Sequence, residues 1–281
     1  ARQIAGDVVD LSMVIPAGQD SHSFEPTPAD IRLIQNADLL ICNGGTMEQW
    51  VTQVLASLDA PDLKVITMMD YVDVVQEEIV EGMEDSGDDH GHDHAHHDEE
   101  DGDHADHDHD TEDHADHDHD TEDHDHADDD HAYEIEYDEH IWTSPVEAEK
   151  LCRAICDALC AADPAHAADF RANLAEYLTE LSELDADFRQ VCREKKRDLL
   201  VFGDRFPLLY FCREYGLRYR AAFHGCSSDT EPSLYTLKFL IDQVREEQIP
   251  VVYALELSSQ RVAEAIAETT GAKVVTFYSC Q

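Results

Sequence analysis

Short apolar runs alternate with amphipathic segments in the first part of the chain. Three compact apolar runs predict strands, at residues 9–15, 39–43 and 64–67. Two segments with helical periodicity lie between them, at residues 28–36 and 48–58. Thr27 and Pro28 are typical of a helix start, as an N-cap residue and as a proline at the first helical position. Strands and helices that alternate at this spacing favour βαβ units with a parallel sheet.

The second half of the chain shows the same alternation, preceded by a long helix. Helical periodicity covers residues 145–161 and 164–195, and the second stretch, of about 30 residues, would span roughly 45 Å. Apolar runs predict further strands at 198–202, 219–223, 251–255 and 273–277. Helices are predicted between them at 207–215, 233–247 and 259–270. We therefore predict an α/β fold of two lobes, with parallel sheets flanked by helices, joined by a long rigid connecting helix.

The predicted elements divide the chain into three parts. An N-terminal lobe covers residues 1–145, a helical segment with the connecting helix covers 146–196, and a C-terminal lobe covers 197–281. At 281 residues the chain is long enough for two domains with cores of their own. The first residues already belong to a predicted helix and the last follow a strand directly, so we expect a chain truncated at both ends.

A charged run at residues 84–131 is inserted in the N-terminal lobe. It holds 24 of the 64 acidic residues and 14 of the 18 histidines, and it has no Lys or Arg. Residues 104–113 recur identically at 114–123. A segment with almost no large apolar side chains cannot offset the entropy of ordering its backbone, so we expect it to be disordered without metal. Histidines interleaved with aspartates favour several weak metal sites on this run.

The strong negative charge excludes some partners and favours others. The formal net charge of −45 falls to about −21 without the run 84–131, which is compatible with a globular body. Such a charge repels nucleic acids and anionic lipids and attracts cations, so we expect no nucleic-acid partner. No stretch of 18 apolar residues predicts a membrane span. No nucleophile–base arrangement, glycine-rich phosphate loop or His-Glu-x-x-His motif is present, so we predict a protein that is not an enzyme.

The eight cysteines contain no C-x-x-C pair, which argues against a zinc ribbon or a thioredoxin-type site. Cys152, Cys156 and Cys160 recur every four residues and would share one face of a helix. Thiols on such a face usually act as small buried apolar groups. Cys226 and Cys280 lie near the ends of predicted strands and could pair, which the sequence leaves open.

Two loops that precede predicted helices carry candidate metal ligands. The first contains His22 and Glu25 and is stiffened by Pro26 and Pro28. It follows a predicted strand, at the carboxyl end of a parallel sheet, where open α/β sheets bind ligands. The second loop contains His140. A single loop histidine is a weak indication of a metal ligand, whereas two histidines in such loops are together a stronger indication of a metal site.

The second loop also contains a predicted helix start. Ser144 and Pro145 follow His140 as an expected N-cap residue and first helical position. His140 therefore precedes a helix directly, in the segment Tyr-Asp-Glu-His-Ile-Trp-Thr-Ser-Pro at 137–145.

Together the two loops resemble the signature of the metal-binding solute receptors of ABC importers, particularly the zinc-uptake branch. Members of that family carry a His-x-Phe/Tyr-Glu-Pro-Thr/Ser loop, matched here by residues 22–27, and an Asp-x-His-x-Trp segment, matched by 138–142. Zinc-type members place a loop rich in histidine and acidic residues between the two motifs, where this chain has 84–131. The resemblance covers essentially the whole chain and implies a metal site in the cleft between the lobes.

The resemblance implies that His22 and His140 bind the metal through ring nitrogens. The third ligand of the family, normally His or Glu after a strand of the second lobe, has no match at the aligned positions. Asp204 is the nearest carboxylate there; it could bind the metal, pair with Arg205 or cap the next helix.

Two further positions bear on the ligand set. His224, after the predicted strand 219–223, is the other candidate for a ligand in the second lobe. Tyr278 stands where the family has an acidic residue near the last strand, so the third and fourth ligands stay open. His166 lies near the N-terminus of a helix and is expected to be solvated.

The resemblance and the ligand chemistry together predict a function. Imidazole nitrogens with one carboxylate suit tetrahedral Zn²⁺, whereas manganese sites contain more oxygen ligands. We expect an extracytoplasmic receptor, free in a periplasm or anchored as a lipoprotein, that binds Zn²⁺ with high affinity and delivers it to the membrane permease of an ABC transporter. We expect a monomer. The run 84–131 would bind additional zinc weakly, for capture, sensing or buffering.

Three alternatives stay open. The first is a manganese or iron receptor of the same family, which the histidine-rich run disfavours. The second is a metal buffer or storage protein in which the run 84–131 is the whole function. The third and least favoured is a metal-dependent hydrolase with an open coordination position, for which Glu25 or Glu139 could act as general base.

Overall fold

The computed structural model describes residues 1–19, 21–83, 136–227 and 231–280, with the side chain of His22 left out. The predicted disorder of the run 84–131 therefore lies outside the described residues and stays a prediction.

The described part of the chain contains helices and strands in alternation. The α-helices are α1 (Arg2–Ala5), α2 (Pro28–Gln35), α3 (Gln49–Ser57), α4 (Pro145–Ala162), α5 (Ala167–Arg193), α6 (Leu209–Tyr215), α7 (Leu234–Glu246) and α8 (Arg261–Thr270). The strands are β1 (Leu39–Cys42), β2 (Lys64–Thr67), β3 (Leu199–Arg205), β4 (Arg218–Phe223), β5 (Val251–Leu255) and β6 (Lys273–Phe277). Short 3₁₀ turns cover Ser21–Ser23, Thr46–Glu48, Met68–Tyr71, Ile141–Thr143 and Pro164–His166.

The first sheet contains β1 and β2, which pair in parallel with Leu39 opposite Lys64. Its core combines apolar residues of β1 with the inner faces of α2 and α3, namely Ile34, Leu40, Cys42, Val51 and Val54. Helix α2 begins where the sequence predicts, because the side chain of Thr27 accepts hydrogen bonds from the free N–H groups of the first turn.

The second sheet has four parallel strands in the order β4-β3-β5-β6. Apolar residues of the sheet pack into two clusters, one with α7 and α8 and the other with α6. One core cluster contains fully buried residues of the sheet and of α7 and α8, among them Val201, Leu240, Val252, Ala254 and Ile266.

Helix α5 is the long helix that the sequence predicts. Its 27 residues span about 40 Å, and it packs against α1, α4 and α6. The predicted face of Cys152, Cys156 and Cys160 packs into the core between α1, α4 and α5, around the fully buried Phe170. All eight cysteines are described, and all are free thiols, so Cys226 and Cys280 do not form the disulfide that their positions allowed.

Three local predictions need correction. Within the described part of the chain, residues 9–15 form no strand: Leu11 and Met13 are 37% and 71% exposed, and apolar content alone supplies no backbone hydrogen-bond partner. Strand β3 continues to Arg205, three residues beyond its predicted end. Ser144 occupies the N-cap position of α4, but its hydroxyl makes no capping hydrogen bond.

The described residues thus confirm the predicted fold class, an α/β protein with parallel sheets flanked by helices and one long helix. None of the described helices combines the length and the apolar character needed to cross a membrane.

Candidate metal centre

The segment that contains His140 pairs with residues that precede the run 84–131 in the chain. Gln76 and Tyr137 form an antiparallel bridge, and the N–H of Asp138 donates to the carbonyl of Val75 across 2.8 Å. Val75 and Gln76 therefore lie beside Tyr137 and Asp138, close to His140.

His140 is buried and oriented by the carboxylate two residues before it. Its Nδ1 atom lies 3.1 Å from Oδ1 of Asp138, which also accepts the backbone N–H of His140 across 2.7 Å. Both side chains are inaccessible to solvent, at 1% and 0% exposure. A hydrogen bond from Nδ1–H to the carboxylate places the basic lone pair on Nε2, the tautomer of a metal-binding imidazole.

The second carboxyl oxygen of Asp138, Oδ2, is buried and has no hydrogen-bond partner among the described residues. A buried carboxylate oxygen without a donor is costly, and a nearby cation would compensate for it.

Glu139 points away from His140 and binds a neighbouring turn. Its carboxylate accepts hydrogen bonds from the backbone N–H and the hydroxyl of Thr46 and from the N–H of Met47. Its backbone carbonyl accepts a hydrogen bond from the side-chain amide of Asn43 across 2.9 Å. With its oxygens engaged in this way, Glu139 is an anchor of the loop and a poor candidate for a general base.

Residues of the C-terminal sheet region cover His140. The hydroxyl of Tyr210 on α6 donates to the carbonyl of Asp138 across 2.8 Å. Gly225 packs on the imidazole so closely that a Cβ atom there would lie 3.1 Å from Cε1 of His140. Trp142 donates from Nε1 to the carbonyl of Ser279 across 2.9 Å. The Asp-x-His-x-Trp segment therefore joins the N-terminal and C-terminal parts of the fold.

His22 lies in the 3₁₀ turn Ser21–Ser23, and its flanking residues are fixed on the start of α3. The hydroxyl of Ser21 lies 3.6 Å from Sδ of Met47. Phe24 is buried and meets Trp50 edge-to-face, with ring centroids 5.1 Å apart. The chain is thus held on both sides of His22, by Ser21 and by Phe24, while the role of the His22 side chain as a ligand stays a prediction.

Asp204 lies within β3, beyond the end that the sequence predicted for this strand. It is 5% exposed; its Oδ2 accepts the N–H of Leu255 on β5 across 2.9 Å and its Oδ1 accepts the N–H of Arg205 across 2.8 Å. These bonds favour a structural role that the sequence did not suggest, because they tie the carboxyl end of β3 to β5.

His224 follows β4 and precedes Gly225, the residue that packs on His140. Its Nδ1 atom is buried and has no hydrogen-bond partner among the described residues. The residue His224 lines a small cavity of about 60 Å³ together with Ser227, Ser233 and Thr236. Tyr278, the other position that the sequence singled out, is 71% exposed.

Glu77 is a residue of this region that sequence reasoning missed. Its carboxylate accepts the backbone N–H groups of Gly225 and Cys226, at 3.3 and 3.0 Å. Burial raises the pKa of Glu77, and the charge of Asp138 raises it further. Glu77 therefore lies between the His140 segment and the His224 loop, 148 residues away in sequence from Gly225. Only a long-range contact could have identified it.

Among the described residues, no three His, Cys, Asp or Glu side chains are arranged to hold a metal ion. The side chain of His22 is not part of that set. The predicted ligands His22, His140, Asp204 and His224 therefore stay predictions, as does the position of the site between the lobes.

The chain has clear relatives among characterised proteins. The zinc-binding lipoprotein AdcA of Streptococcus pneumoniae is 29% identical over 273 residues, which cover 97% of this chain and 46% of AdcA. The high-affinity zinc uptake system protein ZnuA of Bacillus subtilis is 31% identical over 273 residues, which cover 97% of this chain and 72% of that protein. This chain thus spans about half the length of AdcA.

Solved structures share the fold. The crystal structure of ZnuA matches with a TM-score of 0.70 at 23% identity, over 98% of this chain and 84% of that one. The manganese-bound periplasmic metal binding protein from Candidatus Liberibacter asiaticus matches with a TM-score of 0.69 at 21% identity, over 98% and 83% of the two chains.

The family model described as the periplasmic component A of the zinc-uptake complex, ZnuA, matches residues 1–281. This match confirms the resemblance seen in the two histidine loops. The chain belongs to the ZnuA family of periplasmic zinc-uptake components.

Proposed function

We propose that this chain is the receptor of a zinc importer: it binds Zn²⁺ outside the cytoplasm and delivers it to the membrane permease of an ABC transporter. The observation that carries the proposal is the buried pair of His140 and Asp138, joined at 3.1 Å. Membership of the ZnuA family and the zinc-binding names of the relatives support the choice of metal.

The pair has the chemistry that a zinc ligand needs. Zn²⁺ binds neutral imidazole, and a carboxylate on the opposite ring nitrogen fixes the tautomer and raises the basicity of the ligand. The unpartnered Oδ2 of Asp138 adds negative potential beside His140. Binding of a dication there would therefore offset the cost of burying that oxygen.

His22 and His140 are the two ligands on which the proposal depends. For the second lobe we favour His224 over Asp204, since Nδ1 of His224 lacks a described partner whereas both oxygens of Asp204 accept backbone N–H groups. The short step from His224 to Gly225, which touches His140, supports the same choice.

The remaining features agree with a receptor. A net charge of −45 attracts cations to the surface. The family description supports a periplasmic location, and the lipoprotein name of AdcA supports a lipid anchor as one form of it. Catalysis is not part of the proposal, and the engaged carboxylate of Glu139 supports that choice.

Zinc titration in competition with a chromophoric chelator tests the proposal on four proteins. These are the full chain, a variant lacking 84–131, the double variant His22→Ala/His140→Ala and the control His166→Ala. The deletion can be closed by a short linker, because Gln76, eight residues before it, and Tyr137, six residues after it, pair with each other. His166 is the matched control, since it is an exposed histidine bound to Asp163.

A receptor has one tight zinc site that survives the deletion and the His166 change and disappears in the double variant. Loss of all tight binding on deletion of 84–131 would show that the chain is a metal buffer. A parallel titration with Mn²⁺ separates the zinc receptor from the manganese alternative, which requires tighter Mn²⁺ binding. The single variants His224→Ala and Asp204→Ala identify the ligand of the second lobe.

A further inference from the structure

Glu139 is a buried acidic residue that the proposed zinc site does not use as a ligand. Only 2% of it is exposed. Its carboxylate lies on the turn Thr46–Glu48, where it accepts two backbone N–H groups and the hydroxyl of Thr46, the latter across 2.7 Å. Three donors for one carboxylate give a short, directional set of charge-assisted bonds.

The turn that Glu139 binds has both the space and the hydrogen-bond donors for a carboxylate. Gly45 has φ +82°, a conformation that favours glycine, and a Cβ atom at this position would overlap the carboxyl group of Glu139. The turn leads directly into α3, so its N–H groups are the unpaired donors of a helix start. A carboxylate is the preferred partner for such a start.

The same turn supports the His22 loop from its other side. Met47, whose N–H is bound by Glu139, has its sulfur 3.6 Å from the hydroxyl of Ser21. Further along α3, Trp50 packs against Phe24. The residues on both sides of His22 therefore rest on an element whose start is fixed by the neighbour of His140.

We propose that Glu139 is a positioning residue that sets the distance and orientation of His22 relative to His140 through the Thr46–Glu48 turn. This inference rests on the proposed zinc site. Glu139 and His140 are adjacent in the chain, so movement of the turn relative to Glu139 is movement of His22 relative to His140. Without the carboxylate, the turn no longer fixes the positions of the two imidazoles relative to each other, and zinc affinity falls.

The test compares Glu139→Gln with the matched control Glu48→Gln. The amide keeps the shape of Glu139 but has one acceptor oxygen, and its NH₂ group faces a backbone N–H. Glu48 lies in the same turn and also accepts a backbone N–H, from Gly44 across 2.9 Å, a hydrogen bond that stays within residues 44–48 and does not reach the His140 segment. Both changes remove one negative charge, so loss of general attraction for cations affects them equally.

We expect Glu139→Gln to weaken zinc binding about 10- to 100-fold, the range typical of residues that orient metal ligands. Glu48→Gln should change it by less than about threefold. Bound Co²⁺ supplies a readout that a purely structural defect leaves unchanged: its visible absorption should shift in Glu139→Gln and match the wild-type spectrum in Glu48→Gln.

A double-mutant cycle with His22→Ala locates the effect. Because Glu139 acts through His22, Glu139→Gln should weaken binding in the wild-type background and leave the affinity of His22→Ala unchanged. If Glu139→Gln does not fold, Thr46→Val takes its place, since it removes only the hydroxyl donor to the carboxylate and should give a smaller loss of the same kind.

Unchanged zinc affinity in folded Glu139→Gln overturns the inference, and so does an equal loss in the His22→Ala background. If the wild-type chain has no tight zinc site, the proposed function fails and the inference with it. If the wild-type site is tight and depends on His22 and His140 while Glu139→Gln binds normally, only the inference fails.

Discussion

The Nδ1 atom of His140 lies 3.1 Å from a carboxyl oxygen of Asp138, and neither side chain is more than 1% exposed. Because the pair is separated by one residue, the same oxygen also accepts the backbone N–H of His140 across 2.7 Å. The imidazole is thereby fixed in orientation and in tautomer before any metal arrives. Pre-orientation of this kind raises affinity because less conformational freedom is lost on binding.

Asp138→Asn should weaken zinc binding about 10- to 100-fold, because the amide is a poorer acceptor and no longer raises the basicity of the imidazole. Asp163→Asn is a matched control: Asp163 binds Nδ1 of His166 in the same way, but both residues are partly exposed and His166 is not a predicted ligand. The control should bind zinc as the wild type does. Equal zinc affinities for Asp138→Asn and the wild type would contradict the role of this pair.

The capping box of α2 gives a prediction about stability. Thr27 donates its N–H and its hydroxyl to Oδ2 of Asp30, across 2.8 and 2.7 Å, and accepts N–H groups of the first turn. Thr27→Ala should lower the free energy of unfolding by about 1 kcal/mol at pH 7, measured by urea denaturation. Thr52→Ala, an exposed change inside α3, should stay within about 0.5 kcal/mol of the wild type.

The capping box also has a pH dependence with a defined sign. Hydrogen bonds from Thr27 lower the pKa of Asp30 below its ordinary value of 3.8. A lowered folded-state pKa gives stability that is fully present above the unfolded value and is lost as pH falls through the folded value. The difference between Thr27→Ala and the wild type should therefore be constant above about pH 5 and decrease below pH 4. A difference that grows on acidification would contradict this assignment.

The cysteines should differ in reactivity according to burial. Burial raises the pKa of the Cys156 thiol to about 11 and that of Cys212 to about 12, and it also raises the pKa of Cys226. Alkylation at pH 8 under native conditions should label the exposed Cys280 first and leave these three unlabelled until the protein unfolds. Peptide mass spectrometry gives the order. A disulfide between Cys226 and Cys280 in unreduced protein would contradict the structure.

Much of the fold could be predicted because its signals are local. The apolar strands of the second sheet, the periodicity of α5 and the Thr27–Pro28 start of α2 each lie within one continuous stretch of the chain. The strand predicted at 9–15 was wrong because that prediction also used only local signals. The segment is apolar, but a strand forms only beside a neighbouring strand, which the local sequence does not reveal.

The candidate site could be predicted only in part. His140 was identifiable because it precedes a helix within a recognisable motif. The roles of its neighbours depend on residues far away in sequence: Glu139 binds Thr46, and Glu77 binds Cys226, separated by 93 and 149 residues. Asp204 follows the predicted end of its strand at residue 202, but β3 extends to Arg205 and includes it.

Trp142 should report zinc binding through its fluorescence. Its ring centroid lies 5.5 Å from that of His140, and its Nε1 atom is fixed by the carbonyl of Ser279. A dication bound to the imidazole changes the electric field at the adjacent indole, so tryptophan emission should change with one-site stoichiometry in the variant lacking 84–131. The chain has two tryptophans, so Trp50→Phe should keep this signal and Trp142→Phe should lose it. If the signal follows Trp50 instead, the metal binds beside Phe24 and the His22 loop without engaging His140.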